Sequence, residues 1–158
     1  RNLMAIRLLG CLDDPDPAIR DGVVFEGLFT WLRGKALSPD TIVELETALR
    51  AALVGDKDSA GFRRPFAALA LSEVARADRI EPVLTDAART DLVTVAAESL
   101  MRVDDYRGFD PVDGWRHGVA HGSDLVLQLA LNPRVGAIDL RNSTDAPWLS
   151  RNHSAIAC

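Results

Sequence analysis

Apolar residues recur along the chain at the three-to-four spacing of helices, and turn residues punctuate them regularly. Asp16-Pro17 and Ser38-Pro39 each set a capping residue before a proline suited to the first helical position. Gly34 and Gly55 stand where glycine stops a helix. The pattern predicts helices over 2–12, 17–33, 39–54, 63–77, 82–102 (with a break near Asp86) and 114–131, the last ended by Asn132-Pro133. No segment shows sustained strand alternation, so the expected class is all-α. Short connections between helices of this length imply antiparallel neighbours, hence three hairpins in series. Residues 1–131 read as one helical domain. After Pro133 the period fails, and 132–158 reads as an irregular tail in which Trp148, Leu149 and Ile156 are candidates for docking on a groove.

Composition narrows the class further. Hydrophobic residues make up 47% and charged residues 26% of 158, an ordinary globular balance. The net charge is −5 and the pI about 5.1, which argues against a nucleic-acid partner. No apolar run reaches membrane-spanning length. The opening "RNLMAIRLLGCL" carries Arg7 within its apolar run and no small-residue cleavage site, so it reads as a helix rather than a signal peptide. The two cysteines, Cys11 and Cys158, are no disulfide framework and fit a reducing cytoplasm. Two glycosylation sequons, at Asn142 and Asn152, read as chance in that setting.

Polar residues on apolar faces mark candidate chemistry. At 100° per residue Asp21 shares a face with Phe25, Leu28 and Leu32, so it needs a partner. The helix "RPFAALALSEVARA" is apolar nearly all round and is expected to be central. Its Glu73 must be paired or have a raised pKa. For both carboxylates an architectural ion pair is the plainer reading.

The last helix is the most loaded. His117, His121, Asp124 and Gln128 follow i, i+4, i+7, i+11 spacing and form a stripe within about 60° of arc. Trp115, Val119 and Val126 are expected on the opposite side. Apolar neighbours flank the stripe, as they do along a groove. Gly118 and Gly122, four apart, would let another helix approach closely. His117, His121 and Asp124 have the spacing to ligate a divalent metal such as zinc, although the catalytic glutamate of an HExxH peptidase is absent. A hydrogen-bonded network satisfied by Arg107, Asp105 or Asp21, and a metal-free polar pocket, are the other readings. Upstream, "DDYRGFDPVDGW" is a turn-rich loop. Asp113 is its candidate helix cap, and Arg107 folds over the histidines, holds an anion such as phosphate or carboxylate, or pairs with Asp105 or Asp104. No nucleophile triad or phosphate loop is present: Ser123 points away from its histidine neighbours, and there is no strand to precede such a loop.

Two resemblances follow from these motifs. The turn "LDDPDPAIRDGVVFEGL" resembles the inter-helix turn of a HEAT repeat, which implies a HEAT-like α-α superhelix, although later hairpins do not align as strict repeats. That stretch, "FRRPFAALALSEVARAD" and "DDYRGFDPVDGWRHGVAHGSDLVLQLA" together resemble the bacterial domain-of-unknown-function 2785 family, over most of the first 131 residues. The resemblance marks Arg20, Asp21, Arg64, Phe66, Asp105, Arg107, Gly108, Gly114, Trp115, His117, His121 and Asp124 as the family's pattern positions. Pro65 and Ala67 depart from it, standing where hydroxyl residues are expected. It also implies further helices after the last one, so the chain is expected to be a fragment. Two functions stay open. The preferred one is a scaffold or binding module holding a protein or small polar ligand near Arg107, His117, His121 and Asp124. The other is a metal-dependent hydrolase with His117, His121 and Asp124 as ligands and Glu73 or Asp21 as base.

Overall fold

The capping residues place helix starts where side-chain chemistry predicts. A computed structural model describes residues 1–56 and 60–136. The Asp16 carboxylate accepts from the Ala18 amide (2.8 Å) ahead of Pro17. Ser38 caps α4 (Pro39–Val54), whose bounds match the expected 39–54. Thr85 accepts from the Ala88 amide (3.2 Å) and starts α6 (Asp86–Met101), so the expected 82–102 segment begins only at its break. α1 (Asn2–Leu8) tightens into a 3-10 turn at Leu9–Cys11, and α5 (Arg63–Ile80) runs three residues past the expected 77.

The run from 17 to 33 is continuous but not uniform. It comprises α2 (Pro17–Ile19), a π-helical turn (Arg20–Phe25) and α3 (Glu26–Arg33). A π turn holds more than 3.6 residues, so it slips the phase of everything before it. The buried stripe is therefore Arg20, Val24, Leu28 and Leu32, four apart throughout. Asp21, expected on that stripe, lies beside it with 36% of its side chain exposed.

α4 packs against α1, α5 and α6, and α5 in turn packs against α3 and α7 (Gly118–Ala130), which also meets α6. The domain is thus all-α, with α5 at its centre against α3, α4 and α7. Its inward residues Phe66, Ala67, Leu71 and Val74 meet Leu45 and Leu49 of α4, Leu92 of α6 and Leu125 of α7 in one core. Each such large side chain contributes about 1.5–3 kcal/mol by leaving water. No helix among the described residues is long and apolar enough to cross a membrane.

Between α6 and α7 the structure departs from expectation. A two-residue antiparallel pair, β1 (Phe109–Asp110) with β2 (Gly114–Trp115), sets Phe109 opposite Trp115. Asp110 closes the turn by accepting from the Val112 and Asp113 amides at 2.8 and 2.9 Å. Gly114 sits at φ 77°, a backbone region open chiefly to glycine. The last helix consequently starts at Gly118, four residues after the expected 114, and its cap is His117, not Asp113. Asp113 instead accepts from Arg116 at 2.7 Å. Most of the expected tail, including Asn142, Trp148, Leu149, Asn152, Ile156 and Cys158, lies outside the described residues.

Candidate functional site

The β-pair and the first turns of α7 build the most chemically dense region. In an extended segment residues two apart share a face. Trp115 and His117 accordingly lie together, ring centroids 4.1 Å apart, whereas a helix would have put them on opposite sides. This corrects the expected position of Trp115. His117 has a left-handed backbone (φ 47°, ψ 39°), and its side chain makes no cap hydrogen bond. Its amide donates to the Arg107 carbonyl (3.3 Å), and its carbonyl accepts from the His121 amide (2.9 Å). The backbone thus fixes His117, whose imidazole packs on Trp115 and makes no hydrogen bond among the described residues.

His121, one helical turn on, stacks on His117 at 5.9 Å and meets Phe66 of α5 edge-on at 5.3 Å. A row of rings therefore runs from exposed Phe109 through Trp115, His117 and His121 to buried Phe66. His121 is only 9% exposed, and its Nδ1 is buried without a hydrogen-bond partner among the described residues. Burial pushes its imidazole down to about 4, the neighbouring His117 acts in the same direction, and the Pro65 carbonyl opposes them. His121 is therefore neutral at pH 7.

Asp21, Phe66, Trp115, His117, His121 and Asp124 line one pocket of about 370 Å³. Asp124 is exposed and makes no hydrogen bond or ion pair among the described residues. Asp21 is tied to Arg20 (2.9 Å). Burial raises its carboxyl above the usual range, and Arg20 partly offsets this. The two imidazole planes lie 22° apart. Among the described residues no group of three His, Cys, Asp or Glu is arranged to hold a metal ion.

Arg20 carries the pocket's foundations. It is fully buried. Its guanidinium donates to Asp21, to the Asp14 carbonyl (3.0 Å) and to the Asp113 carbonyl (2.8 Å), and lies 3.8 Å over the Phe62 ring. Arg116 also lies over Phe62, at 4.6 Å, and donates to the Ala60 carbonyl (3.2 Å). These two arginines and Phe62 fasten the β-pair to the turn before α2 and to the start of α5. Neither Arg116 nor Phe62 stands out in the sequence. Arg116 occupies a spacer position between Trp115 and His117, and its hydrophilic type conceals its burial.

The other pattern residues point elsewhere. Arg107 does not fold over the histidines. It pairs with Asp105 (2.8 Å), whose carboxyl that hydrogen bonding holds down to about 2. Arg107, Arg64, Gly118 and Gly122 line a second cavity of about 270 Å³ between α5, α6 and α7. Arg64 donates there to the Gly55 carbonyl at the end of α4. Gly118 and Gly122 do permit close approach: a Cβ on Gly122 would stand 2.9 Å from Leu100 of α6. α7 thus separates two cavities, with glycines facing one and histidines the other. Glu73 is paired with Arg33 through two bonds of 2.7 and 2.8 Å, away from both. Gln128, the fourth residue of the expected stripe, has its Oε1 buried without a partner among the described residues and lies outside the histidine pocket.

Residues 49–146 match the sequence profile of a family described as proteins of unknown function, DUF2785. The chain belongs to that family. The matched stretch holds every pattern residue from Arg64 to Asp124, whereas Arg20 and Asp21 precede it. No curated protein and no solved structure matches this DUF2785 chain.

Proposed function

We propose that this DUF2785 domain is a binding module for a small polar ligand, which it holds in the pocket of Trp115, His117, His121 and Asp124. One observation carries this reading. His121 Nδ1 is buried, without a partner, on a residue that lines an open pocket. A buried polar atom left unpaired costs about 1–3 kcal/mol, and a ligand group that the imidazole turns to meet would supply the missing bond. The free carboxylate of Asp124 and the uncommitted imidazole of His117 stand beside it. On this reading residues 1–131 form one HEAT-like support of paired helices, and Arg107 fixes the loop at the back of the site rather than contacting ligand.

Two-dimensional NMR with a fragment set of neutral, cationic and anionic compounds tests the reading. Binders should shift amide resonances of residues 115–124, and His121→Leu should abolish or weaken those shifts. Absence of any fragment that shifts them would sink it. Zinc belongs in the same titration. Stoichiometric zinc binding lost in His117→Ala would favour the metal-dependent hydrolase over a metal-free pocket.

A further inference from the structure

Among the described residues no lysine or arginine lines the pocket, and two carboxylates do. Asp21 is balanced by Arg20, which leaves the carboxylate of Asp124 uncompensated. The remaining polar walls are the imidazoles of His117 and His121; His121 is nine-tenths buried with an Nδ1 that has no partner among the described residues, and it adds no positive charge. Phe25, Phe66 and Trp115 supply aromatic rings. Ring faces are electron-rich and attract a cation that has lost part of its water, by about 0.5–2 kcal/mol each. A carboxylate ligand would meet Asp124 and the ring faces, repelled by both. A neutral ligand would gain nothing from the charge of Asp124. A compact hydrated metal ion gains little from walls that are mostly carbon.

We propose that the ligand is an organic cation of the ammonium type, its charged head against the Trp115 ring and the Asp124 carboxylate, with His121 beside it. This rests on the reading of the pocket as a ligand site and names the chemical class that it takes. Its salt dependence follows: Asp124 is exposed, so added salt weakens the attraction.

Three probes of one shape separate the classes: phenethylammonium, phenethyl alcohol and 3-phenylpropionate, each titrated into the whole chain and followed by amide shifts at residues 115–124. Phenethylammonium should bind about tenfold more tightly than the alcohol, and the carboxylate should not bind. Asp124→Asn, at an exposed position that leaves the fold intact, should remove most of that preference. Trp115→Ala should weaken the ammonium by about tenfold and the alcohol less. If the alcohol or the carboxylate binds here as well as the ammonium, the cation proposal fails while the pocket reading stands. If the ammonium shifts no pocket resonance but other fragments do, the outcome is the same. If nothing shifts these resonances, both fail.

Discussion

His121 shows how burial converts one side chain into a pH response. Its imidazole ordinarily titrates at 6.5 and in the fold at about 4. Between these values the unfolded chain takes up a proton that the folded chain refuses. Its contribution to stability is therefore complete above 6.5 and is lost as pH falls toward 4. Between pH 7 and pH 5 the loss amounts to about 2 kcal/mol. Urea unfolding at the two pH values should show that loss in the wild type and not in His121→Leu; equal losses in both would contradict the burial argument. Arg20 presents the opposite case, a fully buried guanidinium whose Nε, Nη1 and Nη2 each donate a hydrogen bond. Arg20→Met leaves the Asp113 and Asp14 carbonyls and Asp21 without their donor, at a cost of about 3 kcal/mol or more. Arg20→Lys should recover little of this, because one ammonium cannot reproduce a planar fork serving acceptors on several sides. Equilibrium unfolding of the two variants decides between fork geometry and charge alone.

At the level of elements, the helix ends that proline, serine and aspartate announce were legible, because a cap is a local event within four residues. α4 appears with its expected bounds for that reason. What escaped was anything that breaks the 3.6 period. The π turn at Arg20–Phe25 moved burial from Asp21 to Arg20, and a fixed 100° step cannot register an extra residue. The β-pair was equally hidden, since two-residue strands are too short to alternate. Yet that pair sets the site, because its extended backbone turns Trp115 to the side of His117. Gly114 is its weak point. A Cβ there would lie 3.2 Å from Arg20 Nη2 and 3.2 Å from Pro17, on a backbone that side chains disfavour. Gly114→Ala should cost about 1–3 kcal/mol. Gly108→Ala, in the same loop with open space around it, should stay within about 0.5 kcal/mol. Thermal unfolding of the pair checks this, and equal effects would show that the loop tolerates any change.

The whole molecule explains why the site was only partly readable. Helical phase found His117, His121 and Asp124, all within eight residues, but the pocket also takes Asp21 and Phe66 from other hairpins, and no periodicity reports such distant neighbours. The same holds for the buried cluster that ties the second and third hairpins together. Asp78, at the end of α5, accepts from the Val83 and Leu84 amides, from Arg89 of α6 (2.8 Å) and from Asn132 beyond α7 (3.0 Å). All three side chains are almost completely buried. Burial alone would push the Asp78 carboxyl up, but the bonds from Arg89 and the two amides outweigh it and hold it below its ordinary 3.8. Its stabilising effect is therefore present above that value and is lost as pH falls below it. Asp78→Ala strands the Arg89 guanidinium in the interior and should cost about 3–5 kcal/mol. A double variant, Asp78→Leu with Arg89→Met, removes both charges and should be more stable than Asp78→Ala, since what is expensive is the unpaired charge rather than the missing pair. If the double variant is instead the least stable of the three, the cluster's weight lies in its bonds to the 81–85 turn and to Asn132, which hold the ends of α5, α6 and α7 in place.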